Sequence, residues 1–497
     1  MKKYILIILC CLTSFPLWSY NVNMIVEHYS VDQGLPNNTV NCTLKDRDGF
    51  IWFGTWYGLC CFDGVKFKTF NKQEHDSDVP PRKIQRIVED KNGYIWVKTI
   101  DRKLYVFNKV TECFHAVYDD MKNYSENIQV IKLQNTAEGD VLLLTKDKNL
   151  LLAGVDEKGQ VTIKILFDSR DEINKHDYTL KHHVLCETEE YISWIGTDYK
   201  VSAVHKGAEL ASRPADFITS KINSGDKDSF TSFFEDGRKV WVGDRAGIFY
   251  SIDVRTGLVN RYVLSEIKGA ISNLLVTPAG YVYLSVAGQG TYEYDLAERR
   301  LQKINTEMND AMVTHAFIDQ YDKIWFHENE KALIYYDPLN HTAKRFPFTM
   351  FGKITTLYSE DAGERGLFFL SPAGEAWLFD REHAEMVYIN KLKQLSNDRA
   401  NQQFYHLMLD NDGVLWLSSA DEGVYCMNFP KKQFNLLSLS PQSAGQENYT
   451  IGVRALFQSK SGDIWVGTRW QSVYRMDRNG VTKHVFSTGD EHIGNVY

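Results

Sequence analysis

The chain has 497 residues, 43% hydrophobic and 13% aromatic, with 56 Lys+Arg against 64 Asp+Glu for a net charge of −8. That length exceeds one ordinary core, and that apolar content excludes a disordered polymer. A negative balance with no long run of Lys or Arg argues against a nucleic-acid surface.

The N-terminus reads Met1-Lys2-Lys3 and then runs mostly apolar to Trp18. A basic start followed by such a run is a secretory signal, with residues 1–19 as the predicted signal peptide. The run is shorter than the roughly 20 residues of a membrane span. Cys10 and Cys11 follow Ile8-Leu9, which are too large for a lipid-attachment site. The expected mature chain is exported and soluble.

Residues 25–29 match the outer strand of a sheet whose first three strands are missing before it. They are predicted to close the last blade of a ring, after which residues 30–38 connect to the first repeat. That repeat, residues 39–70, sets the grammar for the rest. Val40, Cys42 and Leu44 alternate with polar residues at strand period. Asp46-Arg-Asp-Gly49 is a tight turn, with Asp accepting a local amide and Gly supplying positive φ. Residues 50–54 form an apolar strand, Trp56-Tyr57-Gly58 turns back, and residues 59–62 are the third strand. Asp63-Gly64 is a hairpin signal, and residues 66–70 complete the sheet.

The pattern returns ten times, centred on Trp52, Trp96, Leu142, Trp194, Trp241, Tyr283, Trp325, Phe368, Trp416 and Trp465. Successive intervals are 44, 46, 52, 47, 42, 42, 43, 48 and 49 residues. A period near 45 is one four-stranded propeller blade. Residues 83–91 look helical locally, but the repeat register makes them a strand. The fold class is therefore all-β, a β-propeller of four-stranded blades. It is read as one seven-bladed ring over residues 20–348, repeats one to seven. Residues 349–497 start a second ring with repeats eight to ten and break off in an eleventh. The recurrent tryptophans Trp52, Trp96, Trp194, Trp241, Trp325, Trp416 and Trp465 are expected to form the blade core, packed between neighbouring sheets.

Six cysteines follow the signal: Cys42, Cys60, Cys61, Cys113, Cys186 and Cys426. No Cys-x-x-Cys occurs, so zinc is disfavoured. Cys42 and Cys60 share a blade and could pair, but small buried hydrophobes are the stronger reading. No Gly-x-Ser-x-Gly elbow, phosphate loop or His-Glu-x-x-His is present. His182, His183 and His315 read as ordinary strand histidines. Asp46-Arg-Asp-Gly49 and Asp410-Asn-Asp-Gly413 lack the far bidentate Glu of a calcium-binding hand and recur where the first hairpin turns, so the turn reading wins. No catalytic residue, metal or cofactor is expected.

In a propeller the turns between second and third strands share one face with the connectors between blades. Here those turns hold Trp56-Tyr57, Asp101-Arg102, Asp198-Tyr199, Asp244-Arg245, Glu328-Asn329, Asp421-Glu422 and Arg469-Trp470. Flat aromatic faces suit sugar C–H groups, and Arg can hold hydroxyls or carboxylates bidentately. The candidate ligand-binding residues are Trp56, Tyr57, Arg102, Tyr199, Arg245, Arg469 and Trp470, with an oligosaccharide as the partner. The plainer alternative is that exposed turns are polar, with occasional aromatics.

Tyr29-Ser-Val-Asp-Gln-Gly-Leu-Pro-Asn-Asn-Thr-Val40 resembles the opening of the two-component regulator propellers. Asp46-x-x-Gly-x-Ile-Trp-x-Gly-Thr-x-x-Gly58-Leu-x-x-Phe-Asp-Gly64 is similar to their repeat consensus. The resemblance runs from about residue 24 to the C-terminus, best in repeats one and ten and weakest in three, six and eight. It implies the periplasmic sensor of a hybrid two-component protein from a glycan-scavenging gut bacterium. It further implies two seven-bladed rings, a small β-sandwich, one membrane helix, a histidine kinase, a receiver and a DNA-binding domain. The sequence stops at Gly494-Asn-Val-Tyr497, before those later parts, and is expected to be a truncated piece. In a full-length family member the kinase would pair as a homodimer, the missing region would tether the chain to the inner membrane, and this part would not touch DNA. A sensor domain is the leading reading. A protein-interaction scaffold, and a propeller lyase or dehydrogenase, are the alternatives.

Overall fold

In the computed structural model the chain is described over residues 25–70, 81–122, 129–146, 149–167, 180–188, 190–196, 201–207, 215–216, 230–304, 313–328, 331–351, 358–361, 366–371, 374–391, 404–428, 452–468, 472–477 and 481–487. Among these residues ten four-stranded antiparallel sheets form, one per repeat. The protein is a β-propeller in class, all-β with four-stranded blades. Every sheet but the ninth runs in chain order. Sheet one, for example, joins Val40–Lys45, Ile51–Thr55, Gly58–Phe62 and Phe67–Phe70. The first strands of neighbouring sheets adjoin one another and make the inner wall. Strand Ile84–Glu89 replaces the locally helical look of residues 83–91.

The repeated turn has a second task that the sequence reading missed. Asp46 Oδ1 accepts the amides of Asp48 and Phe50 at 3.0 and 2.9 Å, while its Oδ2 accepts Trp52 Nε1–H at 2.7 Å. Asp90 and Trp96, Asp319 and Trp325, and Asp410 and Trp416 repeat the bond at the same spacing of six. Asp236 and Trp241 do so at a spacing of five. A buried indole N–H needs a partner, and the turn carboxylate supplies it. Where the turn carries Thr136 or Thr277 instead, the sixth residue on is Leu142 or Tyr283. Tyr283 finds its own acceptor in Glu293, which Tyr336 of the next sheet shares, at 3.0 and 3.2 Å.

Trp52 lies with Phe107 of the next sheet at 5.6 Å, and Trp416 lies with Phe53 and Phe62 of sheet one. Trp96 and Trp241 are buried against sheets three and six. The glycine two residues after Trp52 exists for this packing. A Cβ on Gly54 would sit 2.5 Å from Cys42 Sγ and 2.6 Å from Ile84 Cγ2. Gly243 repeats the constraint against Ser232 and Ile271.

Residues 1–429 form one compact unit and residues 430–497 another. This differs from the expected boundary after residue 348. Sheets seven and eight are joined, not parted. Trp325 meets Phe379 and Phe369 of sheet eight at 4.7 and 5.4 Å, and Arg381 bridges Asp319 and Asp361. Buried clusters link every consecutive pair from sheet one to sheet nine, and sheet nine back to sheet one. Ile25–Tyr29 does act as a borrowed outer strand, but on sheet nine rather than seven. It pairs antiparallel with Val424–Asn428, from Ile25 opposite Asn428 to Tyr29 opposite Val424. Among the described residues nine sheets, rather than the expected seven, thus close in this unit. The physical reason is that a near-identical repeat interface carries no count. The stopping point is set where an edge accepts the strand. At Gly423, φ +91°, a Cβ would stand 2.2 Å from Tyr29 O, so glycine alone admits the strand there. Tyr29 then packs with Phe62, Phe67 and Trp416. Ser30 and Gln33 cap the following turn reciprocally, and buried Leu35 anchors the connector.

The second unit holds sheet ten, from Val453–Gln458 to Thr482–Ser487. Leu456 and Phe457 on its first strand are exposed. Cys42, Cys60, Cys61, Cys113 and Cys426 are free thiols. Burial pushes the Cys42 thiol up to about 12.

Candidate functional site

A chain of backbone hydrogen bonds ties the second-to-third-strand turns to the blade connectors along one face. Trp56 N–H donates to Thr39 O, Lys83 N–H to Trp56 O, and Ile100 N–H to Lys83 O. Val130 N–H donates to Arg102 O, and Lys146 N–H to Gln129 O. The turns of sheets one to three therefore form a rigid rim rather than loose hairpins.

On this rim Trp56 and Tyr57 are exposed, 42% and 63%, which is unusual for large rings. Thr55 Oγ1 accepts the Tyr57 amide and donates to Gly58 O, fixing the turn from below. Lys83 Nζ lies 5.1 Å from the Trp56 ring centroid, a cation–π contact. Arg102 is exposed at φ +67°, held by its amide to Thr99 O and its carbonyl to Val130. The fold thus brings Trp56, Tyr57 and Arg102 to adjoining turns. Arg245 is exposed on the sheet-five turn, with sheets three and four between it and Arg102. Its neighbour Asp244 is turned inward to accept the amides of Ala246 and Ile248, and burial raises its carboxyl above the usual range. Glu328 is also buried, paired with Arg345 at 3.0 Å. Tyr199, Arg469 and Trp470 lie outside the described residues, as do the side chain of Trp194 and Asn329. Of the blade tryptophans, Trp52, Trp96, Trp241, Trp325 and Trp416 are 0–5% exposed, and Trp465 is half-buried.

Several rim residues escaped the sequence reading. Lys98 stands where sheet one has Gly54 and sheet five has Gly243, and it is 5% exposed. Its Nζ donates to Gln85 Oε1. Burial, with Arg102 nearby, brings the ammonium down to about 8. Arg86 is its cross-strand partner and is exposed. A charged residue at a repeat glycine position was the available signal. His406, on the first strand of sheet nine, has a buried Nδ1 without a partner among the described residues. Burial chiefly, with Arg86 adding, brings its imidazole down to about 4.

The opposite face is organised differently. Asp46, Asp48 and Glu89 gather around Lys109 Nζ at 3.1, 2.7 and 2.8 Å. The ammonium occupies the point where these carboxylates converge, and it holds Asp48 below the usual carboxylate range. No helix among the described residues is long and apolar enough to cross a membrane.

Residues 34–57, which include the first turn, Trp52 and Trp56, match the family described as two component regulator propeller. No curated protein matches the chain. Among solved structures it is similar to the extracellular domain of BT3049 from B. thetaiotaomicron, described as a hybrid two component system, at 17% identity over 95% of this chain and 61% of that one, TM-score 0.33. The extracellular domain of BT4673 from the same organism, described as a one component system, is 18% identical over 93% and 62%, TM-score 0.30. The chain therefore spans less than two thirds of the length of these two. A streptogramin B lyase structure is 9% identical over 82% of this chain and 98% of that one, TM-score 0.35. At these identities the likeness concerns the fold alone.

Proposed function

We propose that this chain is an exported, non-enzymatic sensor region of a two-component signalling protein. It binds a glycan-derived oligosaccharide on the rim formed by the turns and connectors of sheets one and two. The observation that carries this reading is the exposed Trp56–Tyr57 pair, fixed by backbone bonds beside Lys83 and Arg102. Such a pair offers a flat apolar face with cationic donors at its edge, which is what a sugar ring with hydroxyls requires. The regulator propeller match at residues 34–57 supports the signalling context. The basic start and apolar run of residues 1–19 support export to the periplasm. In a full-length receptor, binding would pass through further domains to a membrane-anchored dimeric kinase, without contact between this region and DNA.

The test is binding of purified chain to an oligosaccharide panel, compared with Trp56→Ala and Tyr57→Ala. Loss of binding by about tenfold or more on removing one stacked ring is expected, roughly 1.4 kcal/mol. Unchanged binding in both variants removes the rim from the account. Turnover of any bound glycan would favour an enzyme, and capture of peptides without sugars would favour a scaffold.

A further inference from the structure

Sheet two is electrically polarised. At its rim end lie Arg82, Lys83, Arg86, Lys98, Arg102 and Lys103, with Asp101 among them and with Asp119 and Asp120 following the outer strand, Asp120 lying 2.7 Å from His115 Nε2. Asp101 is already engaged by Thr99 Oγ1 and lies 3.4 Å from Lys103 Nζ. Glu89 and Asp90 sit at the other end, where Lys109 and the turn amides use them. This excess of positive charge stands in a chain of net charge −8, so overall composition does not produce it.

We propose that the rim end of sheet two is an anion subsite, in which Arg86, Lys98 and Arg102 hold the carboxylate or sulfate of an acidic oligosaccharide stacked on Trp56. This deepens the reading above and rests on it. Four observations point the same way. Lys98 is nearly fully buried, and among the described residues its hydrogen-bond partner is the neutral Gln85, with no carboxylate in reach. An ammonium carries three donors, so donors remain for a ligand. Arg86 and Arg102 are exposed, and no carboxylate pairs with either guanidinium among the described residues. Like charges so placed repel one another unless an anion joins them, and a guanidinium grips carboxylate or sulfate through two parallel N–H bonds. His406, on the first strand of sheet nine with sheet one between it and sheet two, adds a buried ring nitrogen without a partner among the described residues. Finally, the repeat places glycine at this position in sheets one and five, where a Cβ would collide with the next sheet. Sheets three, six, seven, eight and nine carry Leu144, Ser285, His327, Leu370 and Ser418 there, so sheet two differs in placing a long cation at this position.

The experiment is a glycan array probed with the full chain, carrying neutral, uronate-bearing and sulfated oligosaccharides matched in length, with polyglutamate as an anionic control. Preferential binding to uronates identifies the group as carboxylate, and preferential binding to sulfated sugars identifies it as sulfate. In either case Arg86→Gln, Arg102→Gln and Lys98→Met should each weaken binding by about tenfold, the value of one charge-assisted contact, and added salt should weaken it further. Because Lys98 is buried, exposed Arg86→Gln carries the test if Lys98→Met fails to fold. Neutral sugars bound as well as acidic ones, with Trp56 still required, overturn the anion subsite and leave the rim reading standing. Polyglutamate bound as tightly as the acidic sugars also overturns it. Binding to no class overturns both.

Discussion

Asp90 concentrates the logic of the repeat in one side chain. It is 1% exposed and accepts four N–H groups: the amides of Asn92 and Tyr94 at 2.9 and 3.0 Å, Trp96 Nε1 at 2.9 Å, and the Val155 amide of sheet three at 3.3 Å. Asp90→Ala removes the acceptor and leaves those donors in a buried turn. A charge-assisted hydrogen bond contributes about 1.5–3 kcal/mol and a stranded buried donor costs about 1–3. The donors are not independent, since the turn can relax toward water, so a total near 3–5 kcal/mol is expected rather than the sum. The assay is urea unfolding of the full chain, following the transition of residues 1–429 and checking that the slope is unchanged. Trp96→Phe keeps one aromatic ring and deletes the indole donor, and a double-mutant cycle subtracts the lost packing and isolates the bond. Its coupling should be about 1–2 kcal/mol. Thr136→Ala is an internal control, because that hydroxyl accepts the Asp140 amide and faces Leu142 at the tryptophan position. It should cost only about 1 kcal/mol. If Asp90→Ala costs less than that control, or the cycle shows no coupling, the turn-to-indole account is refuted.

Gly54→Ala should destabilise by about 1–3 kcal/mol through overpacking against Cys42 and Ile84, measured by the same unfolding transition. Glu27→Cys should form a disulfide with native Cys426 under mild oxidation, because the two face each other across the closing strand pair. Peptide mass spectrometry reads it, and its absence would unseat closure on sheet nine. Lys98→Met should stabilise the chain at pH 7 by about 1–3 kcal/mol. The folded ammonium titrates near 8 against about 10.5 unfolded, so the unfolded state binds more protons between these values. The penalty of keeping Lys98 is therefore full below pH 8, and the gain from Met should vanish as pH rises past 10.5. His406 titrates near 4 when folded against about 6.5 unfolded. Stability should thus fall as pH drops from 6.5 toward 4, by about 1–2 kcal/mol at pH 5, and His406→Phe should flatten that slope.

The blades were legible because their signals are local. The Asp-x-x-Gly turn, the period of two and the Asp-Gly hairpin each act within a few residues, and the period of about 45 residues repeats them. The function of the turn aspartate as a buried acceptor for the indole was equally present in the spacing of five or six that separates it from the tryptophan. It went unread because the turn alone already explained the residue. Ring size was not legible, since every sheet offers its neighbour nearly the same interface. The closing contact joins Tyr29 to Gly423 across almost the whole unit. Of the candidate site, Trp56, Tyr57 and Arg102 could be placed on one face from turn positions alone. Arg86 and Lys98 could not, because they lie inside strands, where a lysine on a half-buried face ordinarily points to solvent. Only the sheet stacking shows Lys98 to be enclosed.

Hydrogen exchange of the full chain, with and without the tightest-binding oligosaccharide from the array, tests the central claim that this rim is the recognition surface. The account predicts slowed exchange at residues 55–58, 81–86 and 99–104, with residues 46–49 and 90–93 on the opposite face unchanged. Protection confined to the opposite face, or distributed without regard to the rim, would contradict it.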